Sequence, residues 1–323
     1  LIRRYEIPDV AVFSLTSDNS YFGMGKGFDY DRAWWAIVLS DIMEDIRAML
    51  LTNAADADHA VQVFEEAWKI IVDAVETKPF SGLIKVLDDQ MARLSAIPTI
   101  KPFHDVPKIL LTGEIFVRKD SFSRRLLTEW LAENGFAAIC SPVAEWIHYV
   151  DYMVDVDGHW KHMTFGEKLR FYIRRWMMGR YENRLSGALS RSGLVEAGPV
   201  DITRIVKTAS PYLSVNLGGE AVLTIGSSLA EVATEVCGVI AIGPFGCMPN
   251  RLSESILNQI MTRRDKLMSC GPNRRLSEVL ASTDDLPFMA IETDGSPFPQ
   301  IIHAQLEAFC QRAQRLHQRM NGG

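Results

Sequence analysis

From residue 108 onward the chain alternates short, unbroken apolar runs with longer stretches of helical periodicity, and that alternation constrains its fold more than any other feature. The runs are KILLTGEI (108–115), FAAIC (136–140), CGVIAIGPFG (237–246) and LPFMAIETDG (286–295). Strands buried on both faces read as continuous apolar segments, and strand alternating with helix is the pattern of a parallel α/β sheet. SFSRRLLTEWLAENG follows the first run and ends on Gly135, as helices commonly end on glycine. GEAVLTIGSSLAEVATEV precedes the third run. LSESILNQIMTRRDKLM follows it, and PQIIHAQLEAFCQRAQRLHQRM follows the fourth. Four such strands with right-handed crossovers predict a flavodoxin-like sheet in the order 2-1-3-4, interrupted by a helical insertion at about 143–195.

The first third reads differently. Trp34, Ile37, Val38, Asp41 and Ile42 share one helical face, as do Val61, Phe64, Ala67, Trp68, Ile71 and Val72. Pro98, Pro102 and Pro107 then mark a break. The expected division is a helical region over 1–104, the end of a preceding lobe, and an α/β lobe over 105–323. Leu1 in place of Met points to a piece of a longer polypeptide.

Composition enters mainly by exclusion. Of 323 residues, 47% are apolar and 23% charged, the balance of a globular chain. No apolar stretch reaches the roughly 18 residues of a membrane span, and LIRRYEIPDV lacks a signal-peptide core, so neither a membrane nor a secretory route is indicated and a cytoplasmic location is expected. A net charge of -6 argues against nucleic acid as partner. Arg174, Arg175, Arg180 and Arg184 are a local exception, readable as an anion site or as a solvated helix face. Five scattered cysteines without a CxxC pair do not make a disulfide framework or a self-contained zinc site.

In a 2-1-3-4 sheet, ligands bind beyond the carboxyl ends of the strands, where the order reverses between the first and third. Gly113, Glu114 and the turn Gly243 to Cys247 emerge there. Cys247 precedes a helix for which Asn250 is a plausible cap, and Arg251 is close by. A thiol near a helix start and a guanidinium favours the thiolate, the form that attacks electrophiles or binds metal. Gly243 and Gly246 allow close backbone approach, while Pro244 and Pro249 stiffen the loop. The same features equally describe a tight turn with an incidental cysteine. Glu114 and Glu145, at strand ends, could act as acid or base or bind loop amides. Glu292 and Asp294 lie two apart and would face one way, toward a hydroxyl, a metal or a helix start. His159 and His162 lack further ligands at metal spacing, and GMGKG (23–27) lacks the spacing of a phosphate loop. No catalytic residue can be singled out.

Three phrases, TGEIFVRKDSF, GVIAIGPFGCMPNRLSESIL and LPFMAIETDGSPFPQIIHAQLEAF, together resemble the 2-hydroxyacyl-CoA dehydratase and benzoyl-CoA reductase superfamily. The likeness is to the region found in long proteins related to the ATP-dependent activases of those enzymes. DRAWWAIVLSDIMEDIRAML and SPVAEWIHY resemble the same group. The resemblance implies a [4Fe-4S] cluster between two α/β lobes, fed with low-potential electrons by an ATP-hydrolysing activase or activase domain for chemistry on an acyl-CoA thioester. It makes Cys247 the metal ligand of this lobe; Gly113, Glu114, Gly243, Gly246 and Arg251, at the same crevice by topology and local pattern, and Glu292 and Asp294, which match the family's strand-end acidic phrase, are then expected around the cofactor. No other cysteine lies in a matching motif, and Cys140 alone is expected near the same rim. The cluster is therefore expected only in a longer protein, with this chain alone empty and inactive. The alternatives are a non-catalytic docking or assembly module and a metal-free domain binding an acyl-CoA or another small molecule.

Overall fold

A computed structural model describes residues 29–156, 163–196 and 198–322. Three helices open it: α1 (Tyr30–Asn53), α2 (Ala57–Thr77) and α3 (Phe80–Ser95). Asp29 and Asp56 cap the first two by accepting hydrogen bonds from the amides of Arg32 and His59. Then follow β1 (Lys108–Gly113), α4 (Ile115–Lys119), α5 (Ser121–Arg124), α6 (Leu127–Glu133) and β2 (Ala137–Cys140). The insertion is α7 (Val143–Val156) and α8 (Phe165–Leu189), leading to α9 (Ile202–Ala209) and α10 (Ala221–Glu231). The chain closes with β3 (Gly238–Pro244), α11 (Met248–Ile260), α12 (Arg263–Cys270), α13 (Arg274–Val279), β4 (Phe288–Thr293) and α14 (Gln300–Asn321).

The sheet is parallel throughout, with order β2-β1-β3-β4. Leu111 pairs with Cys140 and Ile240, and Ile242 pairs with Gly113 and Ile291. This is the sheet that the apolar runs predict.

Two helices expected to be continuous are broken. Between α5 and α6, Arg125 and Leu126 take φ values of 50° and 61°. Left-handed geometry in two successive side-chain-bearing residues ends any helix. Leu126 is 66% exposed there, so the break lifts an apolar side chain out of the core. Between α11 and α12, the chain pauses to pair Thr262 with Asp285, and Thr262 then caps α12 through the Asp265 amide.

The apolar side chains form two clusters. One surrounds the sheet and takes in Leu110, Val239, Ile240, Ile291 and Phe309. The other joins α1, α2 and α3 to the inward side of α8 through Leu39, Ile46, Phe64, Leu87, Met178 and Leu185. The strand β2 belongs to both, with Ala138 and Cys140 in the sheet cluster and Ala137 and Ile139 against the helical one. Alternate residues of a strand face opposite ways, so the helical region leans on the sheet across the expected 104/105 boundary.

The arginine-rich stretch lies on α8, where its cations are engaged. Arg174 pairs with Asp151, and Arg175 with Asp155 at 2.7 Å. Arg180 stacks over Trp176 and Arg184 over Phe80. His159, His162 and the GMGKG segment lie outside the described residues.

Candidate functional site

The carboxyl ends of β1 and β3 meet where the topology places a site, and they meet tightly. Gly113 has φ +109°, and a Cβ there would come within 2.1 Å of the Ile242 carbonyl oxygen. The next amide, Glu114 N–H, donates to that same oxygen at 3.0 Å. Only glycine lets the two backbones close in this way. Gly243 serves a different neighbour: a Cβ would lie 2.6 Å from the side chain of Asn250. Asn250 is therefore not the cap of α11. It lies inside the first turn, buried, with neither side-chain polar atom partnered.

Cys247 occupies the cap position instead, without a capping hydrogen bond from its side chain. The turn before it is held by the Phe245 amide donating to the Thr293 carbonyl at 3.0 Å and by the Cys247 amide donating to Pro244 at 3.1 Å. Gly246, at φ +73°, opens onto free space. Cys247 is partly exposed and lies between Phe245 and Met248, which are 78% and 77% exposed. Phe116, Phe122 and Leu126, in the connection after β1, are exposed apolar side chains of the same rim. Loops leaving β1 and β4 touch: Thr293 Oγ1 donates to the Ser123 carbonyl, and Phe122 packs against Gly295.

The carboxylates expected around Cys247 are mostly engaged in holding the loops. Glu114 caps α4 through the Val117 amide at 2.8 Å. Glu292 binds Arg251 at 2.6 Å, which also binds Glu254 at 2.8 Å. That pair clips α11 to β4. Asp294 accepts from the Ser296 amide, a bond that holds its carboxyl below the usual carboxylate range. It shapes the turn after β4 and does not cap α14, whose start is Pro299.

Sequence reasoning overlooked a charged knot where α1 crosses the ends of β1 and β2. Lys119 bridges Asp41 at 3.0 Å and Glu44 at 2.8 Å, and Arg124 adds a second bond to Glu44 at 2.6 Å. Asp41 also accepts the amides of Val143 and Ala144, capping α7. Arg118, 1% exposed, donates to the carbonyls of Gly113 and Pro142. Beside it Glu145 is fully buried, one carboxyl oxygen unpartnered, and burial pushes its pKa up to about 7. The available signal was Asp41 itself, a carboxylate on an otherwise apolar helical face.

In comparisons with family models, curated proteins and solved structures, nothing matches this chain. The donor set can be tested directly against an iron-sulfur cluster, which takes several thiolates at its iron corners. Cys140 is at the correct end of the sheet, but its thiol is buried and donates to the Arg118 carbonyl, and burial pushes its pKa up to about 11. Cys237 lies at the opposite end, bonded to the Lys108 carbonyl, while Cys310 is in the core. Cys270 closes α12. Among the described residues no group of three or more metal-binding side chains forms. Cys247 is the one thiol that the rim presents, and these residues do not hold a cluster by themselves.

Proposed function

We propose that this chain is a dehydratase-like α/β lobe that docks an ATP-dependent activase or activase domain at its strand-end rim. There it contributes Cys247 to a low-potential electron-transfer site completed by thiolates from outside the described residues. The observation that carries the reading is the setting of Cys247: a partly exposed thiol at the start of a thirteen-residue helix, between two apolar side chains more than three-quarters exposed. A partly exposed cysteine can ligate a metal as its thiolate, and exposed apolar side chains grouped on one rim mark an interaction surface. The engagement of Glu114, Glu292 and Asp294 fits this division of labour, since these carboxylates hold the rim in shape.

The experiment is anaerobic reconstitution of the chain with its activase. Phe245→Ser and Met248→Ser are expected to weaken capture of the activase at unchanged stability. Cys247→Ser is expected to leave capture intact while lowering iron content and altering the visible spectrum of the complex. Failure of the wild-type chain to capture an activase overturns the docking assignment. Equal iron and spectra for wild type and Cys247→Ser overturn the ligand assignment.

A further inference from the structure

A second candidate site opens at the opposite end of the sheet and reaches back to the charged knot through Asp41, Asp45 and Pro142. A cavity of about 490 Å³ opens among the amino ends of the strands, lined on its apolar side by Phe103, Ile139, Leu194 and Val236. A smaller recess of about 150 Å³ lies beside it, and the two share Asp45, Val195 and Glu196. The larger volume is in the range of small-molecule sites.

The charges around this double cavity are unbalanced. Asp45 accepts one hydrogen bond, from the Cys140 amide at 3.1 Å, and neither it, Glu196 nor Glu231 has an ion-pair partner among the described residues. Two cations belong to the same wall: Lys108, whose ammonium lies 3.9 Å over the Phe103 ring and whose charge bears on Glu196, and Arg275, which donates to the Met320 carbonyl. Ser186 lines the recess, 2% exposed, and its hydroxyl has no hydrogen-bond partner. A buried hydroxyl left unpaired costs free energy until something binds it. No set of three metal-binding side chains forms among the described residues, so the donors suit an organic cation better than a metal ion.

We propose that the double cavity binds a linear aliphatic diamine or polyamine. One ammonium sits between Asp45, Glu196 and the Ser186 hydroxyl, the methylenes lie on the apolar wall, and a second ammonium reaches toward Glu231. An ammonium offers three donors, enough for the three oxygens of the first position. Burial raises the Asp45 pKa to about 8 and that of Glu231 well above its ordinary value. The groups bearing on Asp45 are Asp41 and Glu44 on its own helix, Lys119 from the connection after β1, and the Cys140 amide, while Glu196 shares its cavity wall; those bearing on Glu231 are Glu235, Glu145, Arg204 and Asp45. A bound cation favours the ionised carboxyl, so binding expels protons.

Calorimetric titration of the full chain with spermidine and with 1,5-diaminopentane, in buffers of different ionisation enthalpy near neutral pH, tests this. The expected result is saturable binding in moderate salt with proton release, and none with 1,5-pentanediol. Glu196→Gln and Asp45→Asn should each weaken binding about tenfold, and Ser186→Ala about threefold. Glu307→Gln, an exposed acid on α14, should leave it unchanged. Glu196 is exposed, so its variant reports on the site independently of any change in stability at Asp45. Absence of saturable binding, or equal affinity for wild type and Glu196→Gln, overturns the proposal.

Discussion

At the scale of the residue, burial decides what the titratable groups can do. Burial pushes the thiols of Cys237 and Cys310 up to about 12, and that of Cys140 to about 11. In labelling with a disulfide reagent the thiolate attacks one sulfur of the reagent and expels the other. Near neutral pH the native chain should therefore expose only Cys247 and Cys270 to rapid labelling, with all five reacting in denaturant; mass mapping of the labelled sites checks this. For Asp45 the sign of the pH effect is fixed by its direction. The folded chain holds the proton up to about pH 8, whereas the unfolded chain releases it near its ordinary 3.8. Between those values the unfolded state binds fewer protons, so this group subtracts stability as pH rises through the window and its cost is complete above about pH 8. Asp45→Asn should accordingly raise the melting temperature relative to wild type more at pH 8 than at pH 5, and thermal melts at both values read the difference. These properties were poorly legible in the sequence. Cys247 could be located because glycine, proline and strand order mark its turn, but Asp45 differs from any other helical aspartate only through what packs over it.

At the scale of the element, the strands were readable because each is buried on both faces and so is apolar without interruption. The helices that the periodicity joined were misread at their breaks. SFSRRLLTEW keeps helical spacing through Arg125 and Leu126, yet both residues turn left-handed where the Thr293–Ser123 contact ties this connection to the end of β4. A tertiary contact between residues 170 positions apart leaves no local trace. Glycine is more informative, because some glycines answer to a specific neighbour. Gly226, inside α10, lies against α9 so closely that a Cβ would come within 2.3 Å of the Ile205 carbonyl oxygen. Gly113 combines such a contact with positive φ. Gly226→Ala should force the two helices apart and Gly113→Ala should strain the sheet's switch point, each costing about 3 kcal/mol in urea unfolding. Gly246→Ala meets no neighbour and bears only the strain of its φ, so it should cost about 1 kcal/mol.

At the scale of the whole molecule, the open question is whether the helical region and the α/β lobe are separable. Sequence composition put the boundary near 104, where prolines cluster, and the sheet does begin just beyond it. The packing runs across that line. Without residues before 105, Ala137 and Ile139 of β2, Ala144 of α7 and the Met178, Leu185 and Leu189 side of α8 would all lose the surface they rest on. The knot of Lys119 and Arg124 would lose Asp41 and Glu44, and α7 would lose its cap. Removing one side of a partly buried ion pair leaves the other side desolvated and unpaired, which costs several kcal/mol where burial is deep. A domain holds only about 5–15 kcal/mol of stability in total, so those losses together consume most of it. Residues 105–323 expressed alone should therefore bind a hydrophobic dye and unfold over a broad urea range, whereas the complete chain unfolds in one sharp transition. A fragment that melts as steeply as the parent, without dye binding, would show that the two cores stand independently and that β2 tolerates one bare face.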